Sequence, residues 1–276
     1  MIPVQPAAGD AVPAPDSHRN TPAQPEASPA RLFAGPAPYV VRTPWRPLAG
    51  GAAALGVFAA STMAVVIAVI GIWLLDGRDF AALGNDPLVQ LGATLIQQAV
   101  MIALTLYLAA LYGGTMTGVL ALGRPAQGPH VYIVAFFLFL AAMVVMSLIS
   151  NALAPNANEA DVAVFKGMFT SPLWPLALFV VGVGAPIAEE LLFRGFLFSA
   201  LANSRLGLVG SAVLTSLIFA IVHPYSLAGR VEVFAIGLLL SWLLVRTGSL
   251  RVTMFAHSLN NTIQALLMLA GADSWL

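Results

Sequence analysis

The chain has 276 residues, 59% of them hydrophobic and 9% charged, with a mean hydropathy of +0.88; soluble domains carry about 25% charged residues, so this is the composition of a membrane protein. Lys and Arg number 12, as do Asp and Glu, and this balance gives no basic field that would point to nucleic acid as a partner. Cysteine is absent, which removes disulfides, thiolate metal sites and cysteine nucleophiles and leaves catalysis to Ser, His, Glu or Asp.

Residues 1–48 hold 11 of the 19 prolines with no sustained apolar period, which predicts a disordered Pro/Ala-rich tail. It does not read as a secretory signal peptide, because the first long apolar run begins near Ala49. Residues 49–276 read as a membrane domain. Segments 49–75, 88–112 and 130–153 contain no Asp, Glu, Lys or Arg, and each is long enough to cross a hydrocarbon core of roughly 30 Å. These three N-terminal helices, within 49–153, are separated by segments read as turn-rich loops at 76–87, 113–129 and 154–172.

The second half adds apolar segments at 173–202, 206–222, 231–246 and 251–271. The expected fold is therefore an all-α, polytopic transmembrane helical bundle of about seven to eight spans. Arg42, Arg46, Arg124, Arg205, Arg246 and Arg251 fall on one side of such a bundle, against Arg78, Lys166 and Arg230 on the other. That sorting predicts a multi-pass integral membrane protein, in the plasma membrane, with its N-terminus cytoplasmic.

Within this apolar half, GAPIAEELLFRGF at 184–196 places Glu189, Glu190 and Arg194 in a membrane helix, where each charge costs roughly 2.5–3.5 kcal/mol on insertion scales. Glu190 and Arg194 stand four apart and can neutralise each other. Glu189 points about 100° away and has no partner in its own helix. Pro186 predicts a kink or restart that would set Glu189 in a first helical turn, where the helix dipole favours its ionised form. Further on, FAIVH at 219–223 aligns Phe219 with His223, and HSLNN at 257–261 aligns His257 with Asn261. Counted from the polar turn at 203–205, Glu189 and His223 lie at similar depths, roughly 20–27 Å away on antiparallel helices. His257 follows the 246–251 connection closely, so bringing it level requires that connection to dip into the protein or the helices to tilt unequally. His130 reads as interfacial, and the Gln97 and Gln98 pair as lining a polar interior of undetermined role.

A carboxylate, two imidazoles and an amide can hydrolyse a peptide bond without serine or cysteine. A carboxylate with an imidazole deprotonates water, and a second pair of donors steadies the oxyanion. His-Glu-x-x-His, Gly-x-Ser-Gly and Gly-x-Gly-Asp signatures are missing from the sequence.

Glu189-Glu190-x-x-x-Arg194, Phe219-x-x-x-His223 and His257-x-x-x-Asn261, in that order on successive apolar segments, resemble the CPBP family: type II CAAX prenyl proteases and bacteriocin-processing or Abi-like immunity proteins. The resemblance covers roughly 170–271. It implies an intramembrane endopeptidase acting on membrane-associated, CAAX-like peptide or protein substrates at the lipid bilayer. It further implies that Glu189 and His223 activate water, that His257 and Asn261 stabilise the oxyanion, and that Glu190, Arg194 and Phe219 support them. Members are often labelled metalloproteases, and Glu189, His223 and His257 are the residues that would hold zinc. No cofactor is the favoured expectation, since Asn261 is a poor zinc ligand and a natural oxyanion donor. The competing expectation is a non-catalytic membrane-embedded immunity or binding protein on the same scaffold.

Overall fold

A computed structural model describes residues 37–153 and 157–271. Its helices are α1 (Pro47–Asp76), α2 (Phe80–Gly84), α3 (Pro87–Ala110), α4 (Met116–Val119), α5 (Val131–Leu153), α6 (Ala157–Thr170), α7 (Trp174–Ala202), α8 (Gly207–Ile221), α9 (Leu227–Thr247) and α10 (Leu250–Leu269). The described residues contain no strand, and the fold is a polytopic helical bundle. All seven apolar segments are helices. Five of the helices are long and apolar enough to cross a membrane, at 47–76, 87–113, 131–150, 174–202 and 227–247. Helix α8 is shorter, with 15 residues, and α10 carries Arg251, His257, Asn260, Asn261 and Gln264 within its 20.

Local chemistry sets the ends of these helices. Pro47 and Pro87 occupy first-turn positions, where a missing N–H costs nothing. Asp86 caps α3 by accepting from the Leu88 and Val89 amides. Gly77 and Gly248 end α1 and α9 in the left-handed conformation, each returning its N–H to a carbonyl four residues back.

Helix α7 is the axis of the bundle. Every residue from Glu190 to Leu201 is buried, whereas the buried residues of α1 are confined to the stripe Gly50, Ala54, Val57 and Ser61. A helix buried all round must be surrounded by others, and α1, α3, α8, α9 and α10 all pack on α7. The segment before α1 joins them. Residues 1–36 of the expected tail lie outside the described residues, but Tyr39 and Trp45 are buried. Trp45 donates Nε1–H to the Leu108 carbonyl at 3.1 Å and meets Phe196 edge to face at 5.3 Å, and Tyr39 meets Phe198 at 5.5 Å. The proline-rich composition hid two aromatic anchors, which hold the segment before α1 against the bundle.

All three expected loops also contain helix, the first of them the short α2 within 76–87. Within 113–129 lies the single turn α4. Within 154–172 lies α6, whose Phe165, Met168 and Phe169 pack against Leu91, Ala177, Val180 and Ala265. Its apolar residues recur at helical spacing, a pattern masked by the charges between them.

At Pro186 the helix does not restart, because backbone angles stay helical from Gly184 to Glu190. A π turn over Val180–Gly184 absorbs the proline instead. Ala185 returns its N–H to the Val180 carbonyl, five residues back. The Val181 carbonyl thereby loses Ala185, and its next candidate is Pro186, which has no N–H. Neighbouring helices supply donors: Asn261 Nδ2 to Val181 O at 3.3 Å, Gln98 Nε2 to Val180 O at 3.0 Å, and the Thr262 hydroxyl at 3.5 Å from Gly182 O.

Helix α1 reaches α7 through Gly50, where an added Cβ would overlap the Cβ of Ala200, whereas one at Gly51 would meet nothing within 4 Å. Gly50→Ala is expected to destabilise the detergent-solubilised protein by about 1–3 kcal/mol. Gly51→Ala should be neutral or stabilising by up to about 1 kcal/mol. Thermal unfolding of the two variants in parallel checks this.

Candidate active site

The four residues singled out for catalysis come from three helices and line one cavity of about 520 Å³: Glu189 on α7, His223 just after α8, and His257 and Asn261 on α10. The depth problem of His257 is resolved by a buried connection. Thr247, Ser249 and Leu250, between α9 and α10, are shielded from solvent. Backbone 121–126 covers them: Leu250 donates N–H to the Ala121 carbonyl, Ser249 Oγ to Gly123 O, and Ala126 N–H to Thr247 O. The connection therefore does dip into the protein, and His257 starts from inside it.

The two adjacent glutamates have different surroundings. Glu190 is fully buried; its Oε1 accepts from Arg194 Nη1 at 2.9 Å and from His257 Nδ1 at 3.0 Å. The Arg194 guanidinium, also fully buried, lies 4.1 Å over the Phe219 ring, a cation–π contact. Room for it exists because α9 presents Gly237, where a Cβ would stand 2.8 Å from the Cβ of Ser216 and 3.1 Å from Arg194 Nη2. Glu189 keeps 20% of its side chain exposed to the cavity, and its Oε2 is 3.7 Å from His257 Nε2. Since α7 is continuous here, Glu189 sits inside a helix and receives no help from a helix N-terminus.

Hydrogen-bond chemistry orients the rings. A carbonyl only accepts, so the 2.6 Å contact of His223 Nδ1 with Phe219 O makes Nδ1 the protonated nitrogen and leaves Nε2 as the acceptor of a neutral ring. The contact of His257 Nδ1 with the Glu190 carboxylate likewise assigns a proton to that nitrogen. Phe219 braces both imidazoles, with ring centroids 4.5 Å from His223 and 6.1 Å from His257. Asn261 spends one N–H on Val181 O and accepts from Asn260 Nδ2 at 3.1 Å. Its second N–H remains for another acceptor.

Among the described residues no three His, Asp or Glu side chains are grouped as they stand to share a metal ion. His257 is anchored through Nδ1 on Glu190 and His223 through Nδ1 on the Phe219 carbonyl, which leaves each Nε2 available to another group.

Several lining residues escaped the sequence reading. The direct Glu190–His257 bond joins two motifs that spacing alone treats separately. Tyr225, Glu232 and Asp161 also face the cavity. Burial, with the charges of Glu189 and Asp161, pushes the Tyr225 phenol above its ordinary range, so it stays an O–H donor. The signals were present but slight: one acid in the apolar segment 231–246, and one in a segment read as loop.

The family described as type II CAAX prenyl endopeptidase Rce1-like matches residues 171–263. Over this segment the chain is similar to that family, in line with the resemblance its motifs carry. The matched segment contains all of α7, α8 and α9 and most of α10, and hence all three motifs. A Bacillus subtilis (strain 168) protein named "Putative membrane peptidase YdiL" is 31% identical over 102 residues, 37% of this chain and 41% of that protein. The chain thus aligns with about two fifths of the length of that curated relative. No solved structure matches the chain.

The buried pair and the cavity carboxylate are expected to separate in stability. Glu190→Ala strands the Arg194 guanidinium and should cost about 3–5 kcal/mol. Glu189→Gln should leave stability within about 0.5 kcal/mol. Unfolding of both variants in one detergent, read by circular dichroism, checks the contrast.

Proposed function

We propose that this protein is an intramembrane endopeptidase that hydrolyses peptide bonds of membrane-associated polypeptides with a water activated by Glu189. The observation that carries this reading is the convergence of Glu189, His223, His257 and Asn261 on one cavity, with Glu190 closed off behind them. The match of residues 171–263 to a prenyl endopeptidase family supports the same class of reaction.

In the proposed reaction a water beside Glu189 gives a proton to its carboxylate, with His223 Nε2 as second acceptor, and the oxygen attacks the scissile carbonyl. The carbonyl oxygen gains negative charge and is met by the spare N–H of Asn261 and by His257. When its ring carries both protons, His257 keeps Nδ1–H on Glu190 and offers Nε2–H to the cavity. The proton collected at Glu189 then passes to the leaving amine, which departs as the carbonyl reforms. Each group is held before substrate arrives: His257 by Glu190, His223 by the Phe219 carbonyl, and Asn261 by Val181 and Asn260. Such preorganisation is what makes donors aimed at a developing charge effective.

The charge sorting of the loops supports placing the N-terminal arm on the cytoplasmic side of the plasma membrane. A chain without cysteine makes the test clean, since a single cysteine at position 124 should react with a membrane-impermeant maleimide only after cells are opened, and one at 78 before. The reverse pattern would invert the orientation.

Cleavage of a peptide library by the detergent-purified protein, with metal content measured on the same sample, tests the activity. Glu189→Gln should lower kcat by about 10²–10⁴. Asn261→Ala should lower it by about 10²–10³. Cleavage that persists in Glu189→Gln would remove the proposed base.

A further inference from the structure

Resting on the proteolytic reading above, we infer that the cavity selects a polypeptide segment bearing a basic side chain, and that Glu232 is the residue that receives it. Three carboxylates line the cavity, those of Asp161, Glu189 and Glu232, and the lining includes no Lys or Arg. Two neighbouring cations are committed elsewhere. Arg194 is sealed behind the cavity on Glu190, and Arg230 faces outward with its Nε on the His223 carbonyl at 3.2 Å. A substrate carboxylate entering this space away from His257 would meet like charge, whereas an ammonium or guanidinium would meet its complement.

The three acids are not equivalent. Asp161 spends both oxygens on the start of α9, accepting from the Ser226 amide at 2.7 Å and from its hydroxyl at 2.8 Å. Gly229 permits that approach, because a Cβ there would overlap Asp161 Oδ2. Glu189 is beside His257 and is assigned to water. Glu232 has a hydrogen bond from Ser150, while its Oε1 is buried without a hydrogen-bond partner. A carboxylate oxygen withdrawn from solvent without a donor is costly, and a ligand that brings a donor relieves that cost. The proposed mechanism leaves Glu232 without a task, and it stands in the cavity that a substrate must occupy.

The remaining wall suits a basic side chain rather than a bare cation. Met101, Met143, Met146, Met168 and Met268 line the same cavity. Unbranched thioethers adapt to varied shapes, and the alkyl stem of Lys or Arg packs on apolar surface while its head reaches a carboxylate. The selected substrate is therefore a segment of mixed apolar residues with one Lys or Arg near the cleaved bond. A terminus recognised through its free carboxylate is disfavoured.

The test uses the full chain in neutral detergent at low salt, in its Glu189→Gln form so that bound peptide persists. Three fluorescent peptides share one apolar sequence and differ at a central Lys, Met or Glu, and anisotropy reads their affinity. The Lys peptide is expected to bind about tenfold more tightly than the Met peptide, with the Glu peptide weakest and the gap narrowing as salt rises. Glu232→Gln should shrink the Lys-to-Met gap to about twofold or less, and Glu232→Lys should favour the Glu peptide. Equal binding of the three peptides, or a gap that survives Glu232→Gln, overturns the inference and leaves Glu232 with water alone. The first comparison needs no change at Glu232, so it decides even if those variants fail to fold. Cleavage of the same peptides by the unsubstituted protein separates the two claims. Lys preference in binding without any cleavage contradicts the protease reading only, and cleavage without Lys preference contradicts this inference only.

Discussion

The contact of Glu190 with Arg194 at 2.9 Å, with both side chains fully buried, is the constraint around which the rest of the protein is arranged. Two opposite charges taken from solvent are tolerable only when their geometry is good and further partners satisfy them. Here the partners come from other helices: His257 of α10 on the carboxylate, the Phe219 ring of α8 under the guanidinium, and the gap left by Gly237 of α9 beside it. Three helices thus meet α7 at one pair, and two of them, α8 and α10, carry the remaining motifs.

The same ties shape the cavity. Because Glu190 is held inward, the next carboxylate along the helix, that of Glu189, faces a different direction and meets the open space. Pro186 contributes from one turn earlier. Its missing N–H and the π turn it requires expose backbone carbonyls of α7, and Asn261 and Gln98 reach across to them. An amide that would otherwise be a flexible side chain is fixed at the cavity wall as a consequence of backbone accounting. Structural demands of a helix in an apolar medium and the placement of polar groups for chemistry are met by the same bonds.

Much of this was legible in the sequence. Charge-free runs long enough to cross a bilayer mark α1, α3 and α5, and the spacing of four in each motif names Glu190 with Arg194, Phe219 with His223, and His257 with Asn261. What spacing cannot report is contact between motifs, so the Glu190–His257 bond was invisible, as was the packing of Tyr39 and Trp45 from a proline-rich arm, whereas the dip of the 247–250 turn was one of two ways to bring His257 level. Pro186 does not restart the helix, for a related reason. Its effect on a helix depends on whether a neighbour can satisfy the freed carbonyls, and that neighbour lies some 75 residues further along the chain. Helix α6 was lost behind its charges, and with it Asp161, Val162, Phe165, Met168 and Phe169 in the cavity wall.

Central to the account is that two adjacent, chemically identical side chains are divided between a sealed ion pair and an open cavity. The most direct measurement is carbodiimide labelling of the folded protein in detergent, with each modified carboxylate located by mass spectrometry. Glu189 should be modified while Glu190 stays unmodified until the protein is unfolded. Equal labelling of the two in the folded state, or labelling of Glu190 with Glu189 protected, would contradict the division on which the proposed chemistry depends.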